Sequence, residues 1–298
     1  MNYAAPNVSN QKLFAIADGK IYDVTTNPAT VVYTGLSNAR WQHINFSTAG
    51  GNFLVMVNGV DTAMFYDGSN WCKIATTATA QTISSITSSG TTATVTTSSA
   101  HGLVTDNRVS ISGATETPYN GTFKITVTGS TTFTYTMASS TTSPATGTPV
   151  YTVLGIAGVN SNLFVNVNSL QERIYFVEKN TLDFWYLPVN SLGGTAKKFP
   201  LGSIARSGGF LQAMGTWTLD AGYGVDDLGA FVTSMGEVIV YKGTDPDDPN
   251  NWALVGVWQM GQTFSRRCFF KWAGDLLLLT QDGLVPMSAS LQSSRLVS

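Results

Sequence analysis

The sequence predicts an all-β protein made of about five β-propeller-like blades, with a small β-barrel or β-sandwich domain inserted among them. Three observations carry that expectation. Short β-branched and aromatic runs recur along the chain, bounded by Asn-Gly and Asp-Gly pairs whose glycine supplies the positive φ of a tight antiparallel turn. Outside one long gap, these units start at intervals of roughly 40 to 60 residues, the period of four-stranded blades. Only 11% of the 298 residues are charged, well below the usual quarter, and Gly, Ser, Thr and Asn fill the difference. No 3.6-residue periodicity competes.

In chain order, the first unit is a hairpin over residues 12–24 with its turn at Asp18-Gly19, followed by a strand over 30–33. Residues 41–74 make the clearest blade. Two apolar runs, 53–57 and 63–66, flank the Asn58-Gly59 turn, and Asp67-Gly68 precedes Trp71. The pattern returns at 172–187, 229–241 and 274–287. A sandwich of two sheets explains the alternation equally well but leaves the repetition unexplained.

Residues 81–150 are different material. Ser and Thr make up nearly half of the stretch, and its only charges are Asp106, Arg108, Glu116 and Lys124. Period-two alternation over 91–96, 108–112, 122–127 and 132–137 argues against disorder. Turns at His101-Gly102, Asn120-Gly121 and Gly129-Ser130 separate the runs. The expected organisation is a first propeller segment over 1–80, an inserted Ser/Thr-rich β domain over 81–150, and a second propeller segment over 151–298, with linkers at 75–80 and 139–148.

Little in the sequence points to chemistry. A net charge of −2 and a pI near 5.6 provide no basic footprint for nucleic acid, and neither Lys197-Lys198 nor Arg266-Arg267 amounts to one. Two cysteines, Cys72 and Cys268, are too few for a disulfide framework or a zinc site and read as buried thiols. His43 and His101, the only histidines, read as structural, because no nucleophile elbow accompanies them. There is no phosphate-binding loop, and the glycines of 222–229 lack dinucleotide spacing. Asp18, Asp67 and Asp282 each precede a turn glycine. The phrase from Tyr66 to Trp71 fails as a sialidase Asp-box, since Gly68 follows Asp67 directly, and the arginines form no evident carboxylate-binding set. The acidic loop 245–251 offers too few oxygens for calcium. Catalytic, cofactor-binding and metal-ligating residues are therefore expected to be none, with no cofactor and no enzyme activity. The N-terminal residues carry no signal-peptide pattern and no apolar run reaches bilayer length, so cytosolic synthesis without stable membrane insertion is the expectation.

Several phrases nevertheless resemble a known family. They are the Arg-Ile-Tyr-Phe of 173–176, the Trp-Ala-Leu-Val-Gly-Val-Trp of 252–258 and the whole of 266–287. They resemble tail proteins of short-tailed bacteriophages, and more narrowly the propeller-bearing nozzle, also called the tail tubular or DNA-stabilisation protein. The Ser/Thr-rich stretch is similar to small β modules inserted in phage tail proteins, through the Ala-His-Gly-Leu of 100–103 and the Pro-Tyr-Asn-Gly-Thr-Phe of 118–123. The resemblance implies a virion component assembled in the host cytoplasm, a ring of six copies at the distal end of the tail tube. Adaptor or head-to-tail connector proteins, and tail fibres, would be its partners. Genomic DNA would pass through the lumen without sequence-specific binding. One departure is that 291–298 carry no obvious closing strand, so closure within one subunit does not follow. The alternative reading is a glycan-binding tail adhesin or receptor-binding propeller, with Trp71, Trp185, Trp217 or Trp252 stacking on sugars.

Overall fold

The structure, a computed structural model, describes residues 1–220, 225–272 and 274–290. The expectations for the glycines at 222 and 224 and for the stretch 291–298 lie outside the described residues. Five antiparallel meanders follow one another. Blade 1 is Asn2–Tyr3, Lys12–Ala17, Lys20–Asp23 and Thr30–Thr34, and blade 2 is Gln42–Thr48, Gly51–Val57, Met64–Tyr66 and Trp71–Lys73. Blade 3 comprises Phe164–Leu170, Arg173–Glu178, Asp183–Tyr186 and Lys197–Pro200. Blade 4 comprises Leu211–Asp220, Val225–Thr233, Glu237–Gly243 and Trp252–Gln259. Blade 5 has three described strands, Phe269–Trp272, Asp275–Thr280 and Gly283–Pro286. The protein is all-β and propeller-like, with the expected repetition. Its turns are those the dipeptides predict: Asp18 and Gly19 sit at φ 50° and 67° between paired Ala17 and Lys20, the two-residue turn that matches strand twist.

What stacks the blades is alternation within their middle strands. In blade 2, Leu54 and Met56 join a core with Phe14, Ile21 and Trp41 toward blade 1, while Phe53, Val55 and Val57 join Phe164, Val167 and Phe176 toward blade 3. In blade 3, Ile174 and Phe176 face blade 2, and Tyr175 and Val177 face blade 4. In blade 4, Ile239 and Tyr241 face blade 3, and Val238 and Val240 pack with Cys268, Leu276 and Leu278 of blade 5. A strand covered on both faces reads as an unbroken apolar run, which is why these segments stand out in the sequence. Among the described residues, no such core joins blade 5 to blade 1.

Residues 83–153 fold as two sheets around a core of their own. One sheet orders Thr126–Gly129, Thr132–Thr136, Thr92–Thr97 and Ile83–Ser89; the other orders Gly121–Lys124, Arg108–Ala114 and Gly147–Val153. Between them lie Ile86, Val95, Val109, Ile111, Tyr119, Phe133, Tyr135 and Tyr151. Two local expectations are corrected. The single strand expected over 122–127 is two strands in different sheets, because the chain crosses the core at buried Ile125, whose N–H bonds Asn107 O. The linker expected over 139–148 is tied down: Thr146 donates twice to the Glu116 carboxylate, Ala145 N–H bonds Ile86 O, and a strand begins at Gly147.

The two-sheet unit does not dangle. Asp106 accepts from Tyr33 Oη at 2.8 Å and pairs with Lys124 at 2.9 Å and Lys73 at 3.8 Å, tying it to blades 1 and 2. Arg108 pairs with Asp67 and lies 5.5 Å from the Phe53 ring centroid. The chain leaves and re-enters side by side, with Ala75 bridging Gly155 in parallel. A Cβ on Gly155 would sit 1.7 Å from Thr77 O, so only glycine permits the approach.

Two outcomes are expected. Phe184, fully buried, stacks on Phe231 and Phe199 at 4.5 and 5.0 Å between blades 3 and 4. Phe184→Ala should cost about 3–5 kcal/mol in urea unfolding, the usual range for a buried aromatic. Joining Thr76 to Leu154 through a short Gly-Ser link should leave a cooperative β melt by circular dichroism. The melting temperature should fall, reflecting about 1–3 kcal/mol from the lost Asp106 and Arg108 contacts.

Candidate functional site

The first strands of blades 2, 3, 4 and 5 lie side by side in sequence order. Near where three of them begin, the segment from blade 4 to blade 5 turns inward and touches blades 2 and 3. Arg267 donates to Trp41 O at 2.8 Å, Arg266 donates to Asn58 O at 3.3 Å, and the Asn166 amide donates to Arg266 O at 3.4 Å. These bonds bring together residues 226 positions apart. The result is a pocket of about 470 Å³ lined by Arg40, Gln42, Gln212, Phe264, Arg266 and Arg267, with Ala39 and Ser265.

The pocket is cationic. Arg108 and Arg173 each have a carboxylate partner, but among the described residues none pairs with Arg40, Arg266 or Arg267. Burial, and then the charge of Arg40, lower the pKa of Arg266. His43, on the adjoining strand, is pushed down to about 4 by burial, the N-terminal ammonium and Arg267, so it is neutral at physiological pH. Three of the arginines, which the sequence left scattered, line one pocket in the fold. The signal was absent from spacing, because Arg40 and the Arg266-Arg267 pair meet only through the inward turn.

The acidic loop behaves otherwise. Its carboxylates separate and find cations or amides: Asp245 pairs with Arg173 at 3.3 Å, Asp247 bonds Lys197 and the Tyr186 hydroxyl, and Asp248 accepts from Asn250 and Asn251. Burial works against the charge of Asp247, yet the Lys197 and Tyr186 hydrogen bonds hold its carboxyl below the usual range. Among the described residues, no cluster of three or more His, Cys, Asp or Glu could hold a metal.

The remaining residues singled out in the sequence occupy structural positions. His101 is buried, accepts the Leu103 N–H on Nδ1 at 3.0 Å and meets Phe133 edge-on. Cys72 and Cys268 are buried, and burial raises both thiols to about 12. Asp67 caps its turn by accepting from Ser69 and Asn70 N–H, then pairs with Arg108. Of the tryptophans that the alternative reading sets against sugars, Trp71, Trp217 and Trp252 are packed in the cores between blades, and half-buried Trp185 donates to Glu178. Exposed aromatics among the described residues lie elsewhere, at Phe264 in the arginine pocket, Phe270 and Trp272 on blade 5, and Phe210.

No protein-family model and no curated protein matches the chain. Among solved structures, it is similar to BBS1N in its complex with ARL6DN, at 12% identity over 96% of this chain and 75% of that one, with a TM-score of 0.39. It is also similar to the phage phi92 endosialidase, at 13% identity and a TM-score of 0.24, covering 93% of this chain and 61% of that one. Neither similarity transfers a site or an activity.

The neutral His43 sets a pH window. An unfolded histidine takes up its proton near 6.5, whereas the folded His43 resists until about 4. Its contribution to stability is therefore complete above pH 6.5 and lost as pH falls toward 4. Melting temperature should drop between pH 7 and pH 4.5, and His43→Gln should flatten that drop without steepening the profile above pH 7.

Proposed function

We propose that the protein is a structural subunit of a bacteriophage tail, part of the nozzle or tube ring that retains the genome and conducts it during ejection. The observation that supports this is the pair of apolar faces at the two ends of the blade row. On blade 5, Phe270 and Trp272 share the outer face with Leu277, Leu279 and Leu284, opposite the buried Leu276 and Leu278. Trp272 is 71% exposed and Leu284 is 53% exposed. On blade 1, Leu13 and Val31 lie outward from buried Phe14 and Ile21, each 49% exposed. Apolar area of this kind marks an association surface.

The occupant that fits is a second copy. Every junction within the chain lays one blade face on the next, and blade 5 of one copy against blade 1 of another continues that packing without a new geometry. Head-to-tail contact of this type closes into rings when the rotation permits, and six copies is the number we propose. A charge-poor, mildly acidic surface also suits a conduit, since each neutralised phosphate would slow the DNA. Contacts with adaptor proteins, tail fibres and passing DNA belong to the same proposal, as does the outward placement of the inserted domain.

Native mass spectrometry and light scattering on the purified chain should show concentration-dependent oligomers. Trp272→Glu and Leu13→Glu should each dissociate them, with melting within about 0.5 kcal/mol of the parent, as for surface changes. Mixed together, the two variants should form a 1:1 pair, because one keeps an intact blade 1 face and the other an intact blade 5 face. A parent chain that stays monomeric at about 0.1 mM would sink the proposal.

A further inference from the structure

The arginine pocket has no part in that assembly, and its chemistry is specific enough to name a ligand class. Three guanidinium groups that have no carboxylate partner among the described residues line one cavity of a charge-poor chain, Arg40 and Arg267 exposed and Arg266 half-buried beside the charge of Arg40. Nothing in the packing explains all three. Arg266 and Arg267 each spend one donor on a backbone carbonyl, and among the described residues no hydrogen bond is seen for the Arg40 guanidinium. Each guanidinium carries five N–H donors and no acceptor, so most of the donor capacity faces the cavity or solvent.

The other lining groups narrow the choice. Gln42 and Gln212 bring carboxamides, which both donate and accept and so match hydroxyl groups. Phe264 stands 66% exposed at the same cavity, a flat apolar surface without a core to fill. A bare phosphate would use the arginines but neither the amide acceptors nor the ring. A planar carboxylate suits the guanidinium fork bidentately, hydroxyls suit the amides, and an apolar ring face suits the phenylalanine. A volume near 470 Å³ lies within the usual range for small-ligand pockets.

We propose that this pocket binds an acidic sugar residue, a carboxylate-bearing hexuronate or nonulosonate unit of a glycan. Arg40 and Arg266 hold the carboxylate with Arg267 beside them, Gln42 and Gln212 take hydroxyls, and Phe264 lies under the ring. The site recognises and does not hydrolyse: no carboxylate among the lining residues stands ready as acid or nucleophile. The proposal stands whether or not the chain assembles through its end blades.

Calorimetric titration of the full chain tests it, using a glucuronate-containing tetrasaccharide, an oligosialic acid, the carboxyl-reduced neutral form of the tetrasaccharide, and a short single-stranded oligodeoxynucleotide. At least one acidic sugar should bind, and the neutral form should bind at least about tenfold more weakly, as expected from losing charge-assisted bonds. Arg40→Ala should weaken the acidic sugar by about tenfold, and Arg40→Lys should restore some of the loss, since it keeps the charge without the fork. Phe264→Ala should weaken binding while leaving its salt dependence unchanged. Both positions are exposed, so unchanged melting curves will show that the variants fold. Equal binding of the neutral sugar, tighter binding of the oligonucleotide, or no heat from either acidic probe at about 10 mM would overturn the assignment.

Discussion

The structure depends on burying the middle strands of blades 2, 3 and 4 on both faces. A lone four-stranded meander of this composition has two apolar sides and no means of covering either. Stacking solves the problem for each interior blade, since one strand supplies alternate side chains to two cores, as Leu54 and Val55 do. At about 25 cal/mol per Å² of apolar area, a few such strands dominate the favourable side of folding. Aromatic contacts reinforce the seam between blades 3 and 4, with Phe184 stacked on Phe231 at 4.5 Å and Tyr175 on Trp252 at 6.1 Å.

The same constraint shapes the ends. Among the described residues, blades 1 and 5 each pack on one side only, and their outer faces keep apolar side chains such as Leu13 and Trp272. Strand Asp275–Thr280 shows this directly, with Leu276 and Leu278 buried and Leu277 and Leu279 half-buried. In the proposed assembly, the kind of contact that builds the subunit would also join subunits.

Polar groups act where the stacking leaves gaps. Asp106 gathers Tyr33, Lys73 and Lys124 at the seam between the blades and the two-sheet unit, and Asp247 gathers Tyr186 and Lys197 at the outer edge of blade 3. Each of these two acids is spent on cations and hydroxyls. Among the described residues, Arg40, Arg266 and Arg267 beside the inner strands have no such counter-charge. That asymmetry is what the proposed binding site rests on, and it arises in a chain with a net charge of only −2.

Local signals were sufficient for the class, the blade repetition and most turns. Asp18-Gly19 and Asn58-Gly59 adopt the positive φ their glycines predict, and the unbroken run 53–57 announces a strand buried on both sides. Period-two alternation also located the strands Thr92–Thr97, Arg108–Ala114 and Thr132–Thr136 of the Ser/Thr-rich stretch, but not Ile83–Ser89 or Gly147–Val153. What sequence could not carry was anything set by contact across blades. The break at Ile125 follows from two sheets sharing one core, which alternation along a single strand does not encode. The burial of Trp71, Trp217 and Trp252 depends on which neighbour each blade face meets. The arginine pocket depends on a turn that brings residue 267 against residue 41. Periodicity reports which side of a strand is apolar because backbone geometry repeats every two residues. Only the folded chain decides which distant side chains share a cavity, because that is fixed by how the blades stack and not by any neighbour in sequence.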